Sequence, residues 1–143
     1  MNILFLCTGN SCRSQMAEGF LRHLAGDRVQ SFSAGLEAHG KNPRAIAVMA
    51  ELGVAIEGQE STRVTEAMMA AADLVVTVCG HADEHCPCPR AGSRRLHWPL
   101  PDPARAQGTE EEIWQAFRQV RDDIRDRVQK LVNEELPHPV ACL

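Results

Sequence analysis

A cysteine followed six positions later by an arginine, in Cys7-Thr8-Gly9-Asn10-Ser11-Cys12-Arg13-Ser14, is the first place where this chain could do chemistry. Wrapped around a tetrahedral oxyanion, residues 8 to 13 (Thr8, Gly9, Asn10, Ser11, Cys12 and Arg13) would present consecutive backbone N–H groups to it. Gly9 and Asn10 are the residues able to take the positive φ that such a curl needs. Arg13 can grip two oxygens at once with its planar fork. In that field the Cys7 thiol is expected to ionise below the pH of a free cysteine, with Ser14 donating to the thiolate. Cys12, in mid-loop, shows no role of its own beyond packing and its share of the cradle. The spacing alone is weak, because Cys88 and Arg94 repeat it. There no strand comes first, and prolines remove backbone donors inside the loop.

Two further groups have chemical potential. In Trp98-Pro99-Leu100-Pro101-Asp102-Pro103 the flanking prolines fix a loop from which Asp102 can swing over an anion as a general acid. Six cysteines, at positions 7, 12, 79, 86, 88 and 142, exceed what packing asks of 143 residues. In a reducing compartment they point to redox or metal chemistry.

The elements that must position these groups follow from periodicity. Asn2 to Leu6 is an apolar run entering the Gly-containing loop, as a buried strand does. Met16, Ala17, Phe20, Leu21 and Leu24 recur at helical spacing from Arg13 to Ala25, and Gly26 is the stop. Val29 to Ser33 predicts a second strand, and Asn42-Pro43 caps a helix reaching about Leu52. Thr65-Glu66 opens a short helix, and Leu74 to Val78 is the strongest strand signal, with Cys79 at its end. Residues 80 to 93 read as a loop or a marginal helix, and Arg94 to Trp98 as a last short strand. Thr109 and Glu112 form a capping box before a long helix with an apolar stripe from Ile113 to Leu131. Such alternation predicts one α/β domain over residues 1–143, a three-layer sandwich around a four-stranded parallel sheet, with 137–143 as a fraying tail. Cys7 and Cys79 then lie at the carboxyl ends of two strands, where ligands bind in such sheets.

Composition narrows the classes. A net charge of −4 argues against a nucleic-acid partner, and 4% aromatics with no tyrosine argues against recognition by stacking. No segment has the roughly 20 apolar residues of a membrane span, and Met1-Asn2-Ile3 lacks the basic stretch of a signal peptide. The expected protein is soluble, cytoplasmic and monomeric.

The loop 7–14, together with Ser33-Ala34-Gly35, Ala72 to Thr77, Cys79-Gly80, Cys86-Pro87, His97-Trp98 and Asp102 to Thr109, resembles the low-molecular-weight protein tyrosine phosphatase superfamily. It is most similar to the superfamily's thioredoxin-coupled arsenate reductase branch. Where the phosphatase branch has an aromatic residue after the Asp-Pro pair, this chain has Ala104. The resemblance implies reduction of arsenate to arsenite, for arsenic detoxification, with no tightly bound cofactor and with thioredoxin as external reductant. Cys7 would form a covalent adduct with arsenate and Asp102 would protonate the departing oxygen. A disulfide would then pass from Cys7–Cys79 to Cys79–Cys86. Residual phosphatase activity would remain. The resemblance also implies potassium near the anion loop, at Asn10, Glu18 and Ser33, although Thr62 stands where an Asp belongs. Cys88 adds a competing thiol beside Cys86. Two other readings use the same residues: a plain phosphatase, and a zinc-binding regulatory module built from Cys79, His81, His85, Cys86 and Cys88.

Overall fold

A computed structural model describes residues 1–86 and 92–135. Four strands, β1 (Asn2–Cys7), β2 (Gln30–Gly35), β3 (Leu74–Thr77) and β4 (Arg94–His97), form one parallel sheet in the order β2-β1-β3-β4. Register is fixed by pairs such as Leu4 with Phe32, Leu4 with Val75, and Val75 with Arg95. Ile3, Leu4, Phe5 and Leu6 are all buried, so both faces of the central strand are covered, as the continuous apolar run required.

The helices are α1 (Arg13–Ala25), α2 (Pro43–Glu51), α3 (Glu66–Ala71), α4 (Gly80–Glu84) and α5 (Glu110–Glu135). The crossovers β1-α1-β2 and β3-α4-β4 run in opposite directions along the sheet. Right-handedness therefore places α1 and α4 on opposite faces. α5 packs along α1 and meets α2, and its buried stripe runs through Phe117, Val120, Ile124, Val128 and Leu131.

Local chemistry explains the helix starts. Asn42 Oδ1 accepts from the N–H groups of Arg44 and Ala45, at 2.8 and 3.3 Å, with Pro43 in the first turn. Thr109 Oγ1 accepts from Glu112 N while Glu112 Oε1 accepts from Thr109 N, the reciprocal pair that the sequence predicts. The expected second strand is longer than its apolar run, because Ala34 and Gly35 continue the pairing with Leu6 and Cys7. The Gly80 segment, expected as loop or marginal helix, is helical over α4, and the tail 137–143 lies outside the described residues. Among the described residues no helix is long and apolar enough to cross a membrane.

Candidate active site

β1 delivers Cys7 to the carboxyl edge of the sheet, and the chain curls through residues 8–12 into α1. Four carbonyls of this curl face outward because the irregular segment following β2 takes them. Leu36, Glu37, His39 and Asn42 donate their N–H groups to the carbonyls of Cys7, Thr8, Gly9 and Ser11, at 2.9 to 3.0 Å. With the carbonyls so engaged, the loop can present its N–H groups to an anion. The start of α1 has no side-chain cap, so its partial positive charge also points there. Sequence reasoning did not foresee this ladder. Its one signal is Gly35, where a Cβ would fall 2.3 Å from Glu37 O and 2.7 Å from Asn10 N.

Asn10 adopts φ 48°, as expected of it, and is fully buried. Gly9 does not adopt a positive φ. It is needed for space, because a Cβ there would meet His39 Nδ1 at 2.5 Å. The His39 ring, with Nε2 2.6 Å from Glu37 Oε2, thus lies directly against the loop.

Cys7 is buried, with Asn10 N 3.2 Å and Ser14 Oγ 2.8 Å from its sulfur. Burial pushes the Cys7 thiol up from its ordinary value, against the lowering by the Ser14 hydroxyl and N–H, Asn10 N–H and Arg13. The expected downward shift is therefore corrected: the groups that stabilise a thiolate are in place, and desolvation outweighs them. Burial also raises the Cys12 thiol, helped by Asp102.

Cys79 ends the Leu74–Val78 run and caps α4, its sulfur accepting from Ala82 N at 3.3 Å. The same sulfur is 3.3 Å from Thr8 Oγ1, a contact that spacing could not reveal. Cys86 is half-buried just beyond α4 and packs against the core. Cys88 and Cys142 lie outside the described residues. The stretch between Cys79 and Cys86, expected as a loop or a marginal helix, is anchored at Asp83. Its Oδ1 accepts from Thr77 Oγ1 at 3.0 Å and from Arg95 Nη2 at 2.6 Å.

Asp102 lines the same cavity as Cys7 and Arg13. Its Oδ1 caps the short 3-10 turn Pro103–Arg105 through Ala104 N, and its Oδ2 lies 3.7 Å from Arg13 Nη2 and 3.8 Å from Arg105 Nε. Arg13 Nη1 also donates to Leu100 O at 3.0 Å. Cys7, Arg13, Cys79, Asp102 and His39 share one open cavity of about 540 Å³.

The residues at the implied potassium position do not fit a cation. Asn10 Oδ1 already accepts from Thr62 N at 2.7 Å and from Gln15 Nε2 at 3.2 Å. Glu18 Oε1 accepts from Ser33 Oγ, and Glu18 Oε2 from Arg22 Nη2, each at 2.5 Å. A cation needs those oxygen lone pairs, and they are pointed at donors. Of the zinc reading's residues, Cys88 lies outside the described ones, and among the described residues no three His, Cys, Asp or Glu side chains converge as ligands.

Known proteins resemble this chain in sequence and fold. The arsenate reductase of Halalkalibacterium halodurans is 52% identical over 126 residues, covering 88% of this chain and 91% of that protein. The solved structure of an arsenate reductase in the phosphate binding state superposes with a TM-score of 0.75 at 32% identity, covering 93% of this chain and 97% of that one. The thioredoxin-dependent arsenate reductase of Corynebacterium glutamicum superposes with a TM-score of 0.74 at 29% identity; 92% of this chain matches 60% of that one. The family model for low molecular weight phosphotyrosine protein phosphatase matches residues 2–140, taking in the loop, both strand-end cysteines and Asp102. With the sheet order, the oxyanion loop and this match in agreement, the chain belongs to the low molecular weight phosphotyrosine protein phosphatase family.

Proposed function

We propose that this protein reduces arsenate to arsenite, using Cys7 as nucleophile and passing the resulting oxidation to Cys79 and then to Cys86. The observation that carries this reading is the second thiol: Cys79 shares the cavity of Cys7 and its sulfur meets the Thr8 hydroxyl. A phosphatase, whose covalent adduct is cleaved by water, has no use for it. The relatives named as arsenate reductases support the same choice.

Arsenate enters the loop with its oxygens on the inward N–H groups and Arg13, which must leave Leu100 O to grip two of them. The Cys7 thiolate, stabilised by Ser14 Oγ–H and Asn10 N–H, attacks arsenic. Asp102 gives its proton to the departing oxygen, which leaves as water. The Cys79 thiolate, steadied by Thr8 Oγ–H and Ala82 N–H, then attacks Cys7 Sγ. The S–S bond forms as the S–As bond breaks, and the bonding pair stays on arsenic, which departs as arsenite. Cys86 thiolate next attacks Cys79 Sγ and expels Cys7 as thiolate, for which α4 must come apart. A dithiol of the thioredoxin class, the reductant of the Corynebacterium relative, reduces the Cys79–Cys86 disulfide.

The test is NADPH consumption on arsenate with thioredoxin and its reductase, set against glutathione with glutaredoxin. The expected result is turnover with the first pair, lost in both Cys7→Ser and Cys79→Ser. Cleavage of p-nitrophenyl phosphate should be lost in Cys7→Ser and kept in Cys79→Ser. Equal loss of both activities in Cys79→Ser overturns the relay.

A further inference from the structure

Asn10 fixes the Cys7 loop, and two hydrogen-bonded routes lead from it to one residue in the last turn of α1, Arg22. In the first, Asn10 Nδ2 donates to Ser33 Oγ at 3.0 Å, Ser33 donates to Glu18 Oε1 at 2.5 Å, and Glu18 Oε2 accepts from Arg22 at 2.5 Å. In the second, Gln15 Nε2 donates to Asn10 O and Oδ1 at 3.1 and 3.2 Å. Gln15 Oε1 accepts from Gln59 Nε2 at 2.8 Å, and Gln59 Oε1 accepts from Arg22 Nη1 at 2.9 Å. Arg22 also donates to Ser31 O at 3.0 Å. Glu18, Ser33, Asn10, Gln15 and Gln59 are all buried.

Arg22 and Glu18 set the direction of these bonds from the two ends, and the backbone groups Glu60 O, Gln15 O and Thr62 N–H turn the amides of Gln15, Gln59 and Asn10 the same way. A guanidinium only donates, so Gln59 must turn its oxygen to Arg22 and its NH₂ to Gln15. Gln15 then turns its NH₂ to Asn10, whose oxygen takes it. A carboxylate only accepts, so Ser33 spends its proton on Glu18 and must accept from Asn10. Both Asn10 Nδ2 hydrogens are thereby used, one on Ser33 and one on Ser14 at 2.8 Å. The Ser14 proton is left for Cys7 Sγ.

We propose that Arg22 is a positioning residue for the nucleophile: its fixed positive charge neutralises buried Glu18 and orients both routes to Asn10, work an alkali cation at Asn10, Glu18 and Ser33 would otherwise do. The enzyme is accordingly independent of potassium. The inference deepens the function proposed above and rests on it only for the turnover measurement.

The test compares wild type, Arg22→Gln and Arg22→Lys in potassium chloride and in choline chloride of equal ionic strength. Three quantities are read: Tm, the rate at which iodoacetamide alkylates Cys7, and arsenate kcat and KM. Wild type should show the same values in both salts. Arg22→Gln should lose about tenfold in alkylation rate and kcat, equivalent to about 1.4 kcal/mol, and regain part of the loss and of its Tm in potassium alone. Arg22→Lys should retain most of the wild-type rate, since charge on Glu18 is kept. A wild type whose Tm or kcat rises in potassium overturns the proposal without any variant. So does a folded Arg22→Gln with wild-type alkylation and kcat, or one whose losses are the same in both salts. Tm and alkylation need no arsenate, so failure of the reductase reading would leave this result standing on its own.

Discussion

The Thr8 hydroxyl lies 3.3 Å from the Cys79 sulfur, bridging the oxyanion loop to the end of β3. Since Ala82 N–H already donates to that sulfur, a Thr8 proton is the second donor to a Cys79 thiolate. Hydrogen bonds to charged groups contribute about 1.5–3 kcal/mol. Thr8→Val should therefore slow arsenate reduction about tenfold or more while leaving p-nitrophenyl phosphate cleavage, which needs only Cys7, within about twofold. Parallel loss of both would show that Thr8 serves the loop and not Cys79.

Ser14 is the counterpart for Cys7, and here the sign of a pH effect is fixed. Burial raises the Cys7 thiol and the Ser14 bond opposes it, so removing the hydroxyl must raise the thiol further. The midpoint of Cys7 alkylation against pH should move to higher pH in Ser14→Ala, with a slower rate at neutral pH. A midpoint that stays or falls would remove Ser14 from the support of the thiolate.

What the sequence disclosed and what it concealed divide along chain separation. The strand, loop and helix around Cys7, the cap at Asn42 and the box at Thr109 and Glu112 are local patterns, and the structure has each of them. So is the positive φ at Asn10, a short polar side chain that tolerates it. Bonds from Leu36 to Asn42 onto the loop, from Gln59 to Gln15 and from Thr8 to Cys79 join residues about 30 to 70 positions apart and left no periodic trace. Gly9 was legible as a special position but for the wrong reason, since its constraint is the His39 ring. The Cys7 thiol departs from the downward shift its neighbours predict, because charge partners can be read from neighbours in sequence, whereas desolvation is set by the whole fold.

Asp102, proposed above as the proton donor, lies in the cavity with its Oδ2 3.7 Å from the Arg13 guanidinium. General acid catalysis contributes about 10²–10⁴-fold. Asp102→Asn, which keeps the cap on Ala104 N, should lower arsenate kcat within that range. Sulfate binding, measured by calorimetry, should hold or tighten, because a carboxylate near the anion is removed. A matching drop in sulfate affinity and kcat would make Asp102 a structural residue.

The proposed exchange from Cys79 to Cys86 needs α4 to open, and Asp83 ties that helix to the sheet. Its carboxylate ties the helix to β3 through Thr77 and to β4 through Arg95, whose guanidinium also reaches Asp83 O. Arg95 holds the Asp83 carboxyl below its ordinary value. A depressed carboxyl pKa means that the anchor is fully formed above the ordinary carboxylate range and is lost only as pH falls through the lowered value. At neutral pH the anchor must therefore be broken mechanically within each turnover, not titrated away. Asp83→Asn keeps the shape of the side chain and removes its charge from Arg95. The amides of residues 80–85 should then exchange hydrogen faster, and after one arsenate turnover without reductant the Cys79–Cys86 disulfide should form sooner, as followed by quenched-flow mass spectrometry. The preceding Cys7–Cys79 step, made before α4 opens, should keep its rate. If amide exchange rises and disulfide transfer does not, opening of α4 is not what limits the relay. If the Cys7–Cys79 step slows as well, Asp83 supports the position of Cys79 at the helix start instead of restraining Cys86.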